Sequence, residues 1–177
     1  MKPLSLALAD TLLARYPDPD TLPYQVWCYV QGYILMGLEK VWLASGQRKY
    51  IAYLQKYADQ HVAADGSLSG FSGESLDDMM AGTVIAAVYQ HTQAEKYRLA
   101  AGRIRASFSD YPRNSDGGFW HGRGLPGEMW IDGVFMGWMF LTRFGAVVGD
   151  APACFDEVAH QILSLAAKVL TTCKARG

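Results

Sequence analysis

Tyr24-Gln-Val-Trp-Cys-Tyr-Val-Gln-Gly-Tyr-Ile-Leu-Met-Gly-Leu-Glu-Lys-Val-Trp-Leu-Ala44, followed by Ser45-Gly46, is the stretch on which the fold turns. Trp27, Val30, Ile34, Leu38 and Val41 recur at intervals of three and four, the period of a helix face and not the alternation of a strand. Ser45-Gly46 supplies a left-handed stop. Outward from residues 24–44 the same spacing predicts helices over 4–15, 48–62, 76–90, 94–108, 128–144 and 154–170, with Pro17 and Pro19 closing the first. Strand-like patterning is nearly absent, so the expectation is an all-α chain of about seven helices forming a single domain over residues 1–177.

The helices come in pairs. Gly46-Gln-Arg-Lys-Tyr50, Thr92-Gln-Ala-Glu-Lys-Tyr97 and Gly149-Asp-Ala-Pro-Ala-Cys-Phe155 each join one helix to the next by a short polar turn with an aromatic just inside. Longer irregular links over 63–75 and 109–127 separate the pairs. The repeating unit is therefore a helical hairpin of roughly 50 residues. Short links gather at one end of such an array and long ones at the other, where binding residues sit on a rigid scaffold. A link approaching 20 residues inside a domain is functional or disordered. The second one carries Phe119, Trp120 and His121, a content that disordered segments avoid.

Composition narrows the function. With a formal net charge of −1 and no run of lysine or arginine, the chain has no electrostatic footprint for nucleic acid or an acidic membrane surface. No stretch of about 18 apolar residues runs unbroken, so a membrane span is not expected. The start, Met-Lys-Pro-Leu-Ser-Leu-Ala-Leu-Ala-Asp10, is a poor signal peptide, which makes the cytoplasm the expected location. Cys28, Cys154 and Cys173 are far apart and form no Cys-x-x-Cys pair, so they read as reduced, buried thiols. A small polar ligand is therefore the expectation, and five Trp and ten Tyr supply flat faces of the kind that stack on sugar rings, on bases or on each other.

Carboxylates near helix starts carry the candidate chemistry. Asp132 lies between Met129-Trp-Ile131 and Gly133-Val-Phe-Met136. It reads either as an acid favoured by the helix dipole or as a desolvated acid whose raised pKa suits general acid and base work. Asp77 and Asp78 open the helix after the first long link. Ser75 and Asp78 have capping-box spacing, which leaves Asp77 unexplained by capping. Asp77 holds the repeat position equivalent to Asp132, and paired carboxylates are what glycoside or hydration chemistry uses. His121 sits between Trp120 and Gly122, where glycine allows close approach. Arg113 reads as a binder of a substrate carboxylate or as a loop-closing partner of Asp110 or Asp116. His61, His91 and His160 have no paired metal spacing and read as structural or solvent-facing. Gly122-Arg-Gly-Leu-Pro-Gly127 lacks the Lys-Ser/Thr ending and preceding strand of a phosphate loop.

Trp27-x-Tyr29-x-x-Gly32, Ser75-Leu-Asp77, Pro112-Arg113 with Gly117-Gly-Phe-Trp-His121, and Met129-Trp-Ile-Asp-Gly-Val-Phe-Met136 occur in that order. Together they resemble the unsaturated rhamnogalacturonyl hydrolases, family 105 of the glycoside hydrolases. The resemblance implies an α/α toroid of six helical hairpins whose central pocket takes an oligosaccharide ending in a 4,5-unsaturated uronic acid. It implies that Asp132 protonates C4 and activates water toward C5, that Asp77 is the second pocket carboxylate, and that Tyr29 and His121 touch substrate. Trp27, Trp120, Trp130 and Arg113 are further expected substrate-binding residues. No metal and no cofactor are implied. Unsaturated glucuronyl hydrolases, with less similar motifs, are the alternative. Family members are longer, so the chain is expected to be an N-terminal part of such a barrel. Its uncovered helix faces lead to an expectation of self-association through the open edge, and an inactive fragment that only binds sugar is a further alternative.

Overall fold

Helix α4 (Leu76–Thr92) is apolar around its whole circumference, and a helix of that kind has to be enclosed. The computed structural model, which describes residues 3–24 and 26–174 with side chains to 170, encloses it. Leu76, Met79 to Val88 are all buried. Flanking α4 are α2 (Tyr29–Ser45) and α6 (Ile131–Val147), and behind these three lie α3 (Arg48–His61), α5 (Glu95–Ala106) and α7 (Ala151–Lys174). Helix α1 (Leu4–Arg15) leans on α2 and is tied to α3 by the Tyr50 hydroxyl, which donates to Asp10 Oδ1 at 2.7 Å. The described residues thus form an all-α arc of two layers, an inner row α2, α4, α6 and an outer row behind it, with no strand longer than an isolated bridge.

Each inner helix turns back into its outer partner through a short link, so the inner helices all start at the end where the long links arrive. Gly46 ends α2 in the left-handed region at φ 69°, as its sequence implied, and its N–H donates to Trp42 O. Gln93 takes the same role after α4 at φ 56°. Close packing of α2 on α4 depends on Gly32. A Cβ there would lie 2.6 Å from the Met80 carbonyl carbon and oxygen, which are backbone atoms that cannot step aside.

Three differences from the expected helices have local causes. Helix α2 begins at Tyr29 and not at 24, because Tyr24 is at φ 82° and Trp27 turns inward, its indole N–H donating to Asp78 O at 2.9 Å. Helix α6 begins at Ile131 and not at 128, since residues 128–130 carry the long link against the inner row. Helix α7 begins at Ala151, with Pro152 in the first turn, where its missing N–H costs nothing.

At their far ends the three inner helices share one buried carboxylate. Glu39 of α2 is fully buried and accepts from both guanidinium nitrogens of Arg143 of α6, at 2.9 and 2.6 Å. His91 of α4 reaches the same carboxylate at 3.2 Å, and Arg143 also donates to Gln90 Oε1 at 2.7 Å. One charge-assisted node therefore sets the axial level of α2, α4 and α6 against each other.

Candidate active site

The long links converge on the N-terminus of α4. Ser75 caps that helix, its Oγ accepting from Asp77 N at 3.2 Å. Asp78, expected to complete a capping box, accepts instead from the Ser72 hydroxyl. Residues of the second link are laid alongside. Ser75 and Gly122 form a bridge, Leu76 N donates to His121 O at 2.9 Å, and Arg123 N donates to Glu74 O at 2.8 Å. The link is thus ordered by backbone pairing and by Phe119, which is buried against Phe108 and Tyr111.

This arrangement opens a cavity of about 600 Å³ at the starts of the three inner helices. Asp77, Asp132, His121, Tyr29 and Trp130 all line it. Each inner helix contributes through its first turn, which is why motifs far apart in the chain meet: Tyr29 opens α2, Asp77 lies at the start of α4, and Asp132 at the start of α6. His121 is buried, and its ring stacks on the Trp130 indole with centroids 4.1 Å apart and planes 13° from parallel. Its Nε2 faces Asp77 Oδ1 at 3.5 Å, while Nδ1 is buried without a partner. The carboxylate therefore lies on the Nε2 side of the ring, and Asp77 Oδ1 is itself buried without a hydrogen-bond partner.

Exposure separates the two acids, Asp77 being half-buried and Asp132 exposed. Burial raises the Asp77 carboxyl above its ordinary 3.8, the nearby Asp132 and Asp78 charges push the same way, and only His121 opposes them. Asp132 differs from expectation, because its side chain is exposed and not desolvated. The apolar residues that follow it, Val134 and Met136 among them, bury themselves and leave the carboxylate at the open cavity, accepting from Gly133 N at 2.9 Å. The Tyr29 hydroxyl is raised by its neighbour Tyr24, then by burial and the carboxylates, so it is a donor at neutral pH.

Three expected site residues lie elsewhere. Trp27 is in the core, against Tyr57, His61 and Phe71. Trp120 is half-buried in its loop and donates to Asn114 Oδ1 at 3.1 Å. Arg113 lies over the Phe119 ring and forms a bidentate pair with Glu157 of α7, at 2.9 and 2.8 Å. Burial would raise Glu157, but hydrogen bonds from Arg113 and Gln161 outweigh it and hold the carboxyl low. Arg113 thus forms a salt bridge, but it ties the link to α7 and not to Asp110 or Asp116, the partners expected from the sequence. Asp110 pairs with Arg123 and Asp116 with Lys168.

Tyr24, Tyr33 and Phe135 also line the cavity and were not singled out in the sequence. Tyr33 lies one turn after Tyr29 and Phe135 nearly one turn after Asp132, so helical spacing from the motif residues was the available signal. His61 is held by Asp20 and Ser69, and His91 by Glu39, which are structural roles. Cys28 and Cys154 are buried thiols, while the side chain of Cys173 lies outside the described residues. Among the described residues no three His, Cys, Asp or Glu side chains converge as a metal site would require.

A family model described as Glycosyl Hydrolase Family 88 matches residues 6–173. The chain belongs to Glycosyl Hydrolase Family 88. A solved structure described as a family 105 glycoside hydrolase from C. acetobutylicum ATCC 824 is similar to it, with a TM-score of 0.80 and 26% sequence identity. The match covers 92% of this chain and 44% of that one, so the family 88 chain spans less than half the length of its solved relative. The expected kinship with the family 105 hydrolases is thereby borne out, and the helical arc corresponds to part of the helical-hairpin toroid of that fold.

Proposed function

We propose that this family 88 chain carries the acid-base wall of a hydrolase that removes a 4,5-unsaturated galacturonyl residue from rhamnogalacturonan-derived oligosaccharides by hydrating its C4–C5 double bond. The observation that supports the reading is the meeting of Asp77, Asp132, His121, Tyr29 and Trp130 in one cavity. Asp132 delivers a proton to C4 while water attacks C5, and the resulting carboxylate takes a proton from that water. The C5 hemiketal opens, breaking the ring C5–O bond. The hemiacetal then left at C1 releases rhamnose as the alcohol, so atoms balance with one water consumed and no glycosyl-enzyme bond formed.

Asp77, lifted by burial, tunes Asp132 through the space between them and donates or accepts with the sugar hydroxyls. His121 presents Nε2, Tyr29 donates from its hydroxyl, and the exposed Trp130 face offers a stacking surface. An assay with two disaccharides tests this. Unsaturated galacturonyl-rhamnose is expected to lose its ultraviolet absorbance one for one with rhamnose released, and the saturated galacturonyl-rhamnose to remain intact. Cleavage of the saturated sugar at a comparable rate would exclude a hydration mechanism.

The second reading is a sugar-binding chain without turnover, favoured by the exposure of Asp132. Binding of the unsaturated disaccharide with no loss of absorbance would establish it.

A further inference from the structure

Gly133 follows Asp132 in the third position of α6, and its backbone has no need of glycine. Its φ is not in the left-handed region, and alanine is the better residue at an ordinary helical position. Space is the reason for the glycine. A Cβ on Gly133 would fall on His121 Nδ1, closer than real Cβ atoms approach anything, and would lie 3.3 Å from both His121 Cε1 and Leu76 Cδ1.

The His121 ring has no easy retreat. Its backbone is pinned by its own N–H, which donates to Glu128 O at 2.7 Å, and by its carbonyl, which accepts from Leu76 N at 2.9 Å and from the Tyr111 hydroxyl at 3.1 Å. Trp130, on which the ring stacks, is held by its indole N–H donating to Glu128 Oε2 at 2.8 Å. Relief of the clash has to come from rotating the imidazole, which takes Nε2 away from Asp77 and the ring off the indole.

From this we infer that Gly133 is a positioning residue: its bare Cα is the slot that lets the His121 imidazole lie flat on Trp130 with Nε2 toward Asp77. The role rests on the proposed active site for its consequence in turnover, but the slot itself is a property of the unliganded protein. It acts through His121, so it touches neither substrate nor the reacting atoms.

The test is a mutant cycle of Gly133→Ala, His121→Ala and the double variant, read by proton NMR of the histidine ring and by turnover of unsaturated galacturonyl-rhamnose. In the wild type the His121 ring protons, assigned by their loss in His121→Ala, are expected upfield because they stack on Trp130. In Gly133→Ala the upfield displacement is expected to vanish with the helical circular dichroism spectrum kept, and turnover is expected to fall at least tenfold. In the His121→Ala background the slot is empty, so Gly133→Ala is expected to add no further loss and to fold even if the single variant does not. Upfield ring protons retained in Gly133→Ala, or an equal further loss of turnover in the His121→Ala background, would overturn the inference. Because the ring signals need no substrate, a chain without turnover would still decide it.

Discussion

Asp77 has the least comfortable charge in the cavity, and this makes a prediction that needs no substrate. Its carboxyl is raised above 3.8 chiefly by burial, so in the window between the ordinary and the raised value the folded chain holds a proton that the unfolded chain has released. The stability linked to this group is fully present below its ordinary pKa and is lost as pH rises through the higher folded value. Asp77→Asn removes the loss. Its thermal midpoint is expected to match the wild type at pH 3 and to exceed it at pH 7, the gain being limited by the helix-start charge that the substitution also removes. A midpoint lowered at pH 7 would show that the charge is favoured where it sits. At this scale the sequence was informative about residue type and less so about environment. Asp77 and Asp132 were legible as paired helix-start acids, yet the apolar neighbours of Asp132 suggested burial that the structure does not show. Burial depends on which way each side chain of the turn points and on what the other helices bring near, and neither is written next to the residue. Trp27 makes the same point in reverse, since its motif position suggested the pocket and its indole N–H is held by the Asp78 carbonyl in the core.

At the level of elements, the node formed by Glu39, Arg143 and His91 governs whether the three cavity-lining helix starts stay level. Glu39 is fully buried, so removing its main counter-charge leaves a carboxylate with no solvent to stabilise it. Arg143→Ala is expected to lower the unfolding free energy by about 3–5 kcal/mol, measured by urea denaturation. A loss below about 1 kcal/mol would mean that the node is dispensable. Gly32→Ala tests the other determinant of helix spacing, and its clash with the Met80 backbone is expected to cost about 1–3 kcal/mol in the same measurement. Helix existence was readable throughout, because apolar spacing, the Gly46 stop and the Ser75 cap are local signals. The node was not, since Glu39 and Arg143 are 104 residues apart and each, alone, reads as an exposed charge on an apolar helix. The start of α2 was misplaced for a related reason: Trp27 fits the helical spacing, but its tertiary hydrogen bond takes the chain out of the helix before Tyr29.

For the whole molecule, the arc leaves two apolar edges. A groove of about 570 Å³ between α6 and α7 is lined by Ile131, Val134, Trp138, Leu165 and Val169, and at the other edge Leu4, Leu8 and Leu43 are exposed. A polypeptide of these 177 residues is expected to bring the α6–α7 groove of one copy onto the α1–α2 edge of another. Light scattering on the eluting species is expected to give a mass above 19.5 kDa, and Trp138→Glu with Val169→Glu to return it to the monomer; a monomeric wild type would contradict this. The hairpin repeat and the loop end that carries the site were legible from the alternation of short and long links, whereas the cavity wall was not, because Tyr24, Tyr33 and Phe135 acquire their role only once three helix starts meet. Asp132 is the proposed proton donor in that wall. Its most direct test follows the ultraviolet absorbance of unsaturated galacturonyl-rhamnose with the wild type and with Asp132→Asn, alongside calorimetric binding of the same sugar. Absorbance is expected to fall with the wild type and to stay constant with Asp132→Asn while binding is kept within a few fold; an Asp132→Asn chain that still consumes the double bond at the wild-type rate would show that another group donates the proton.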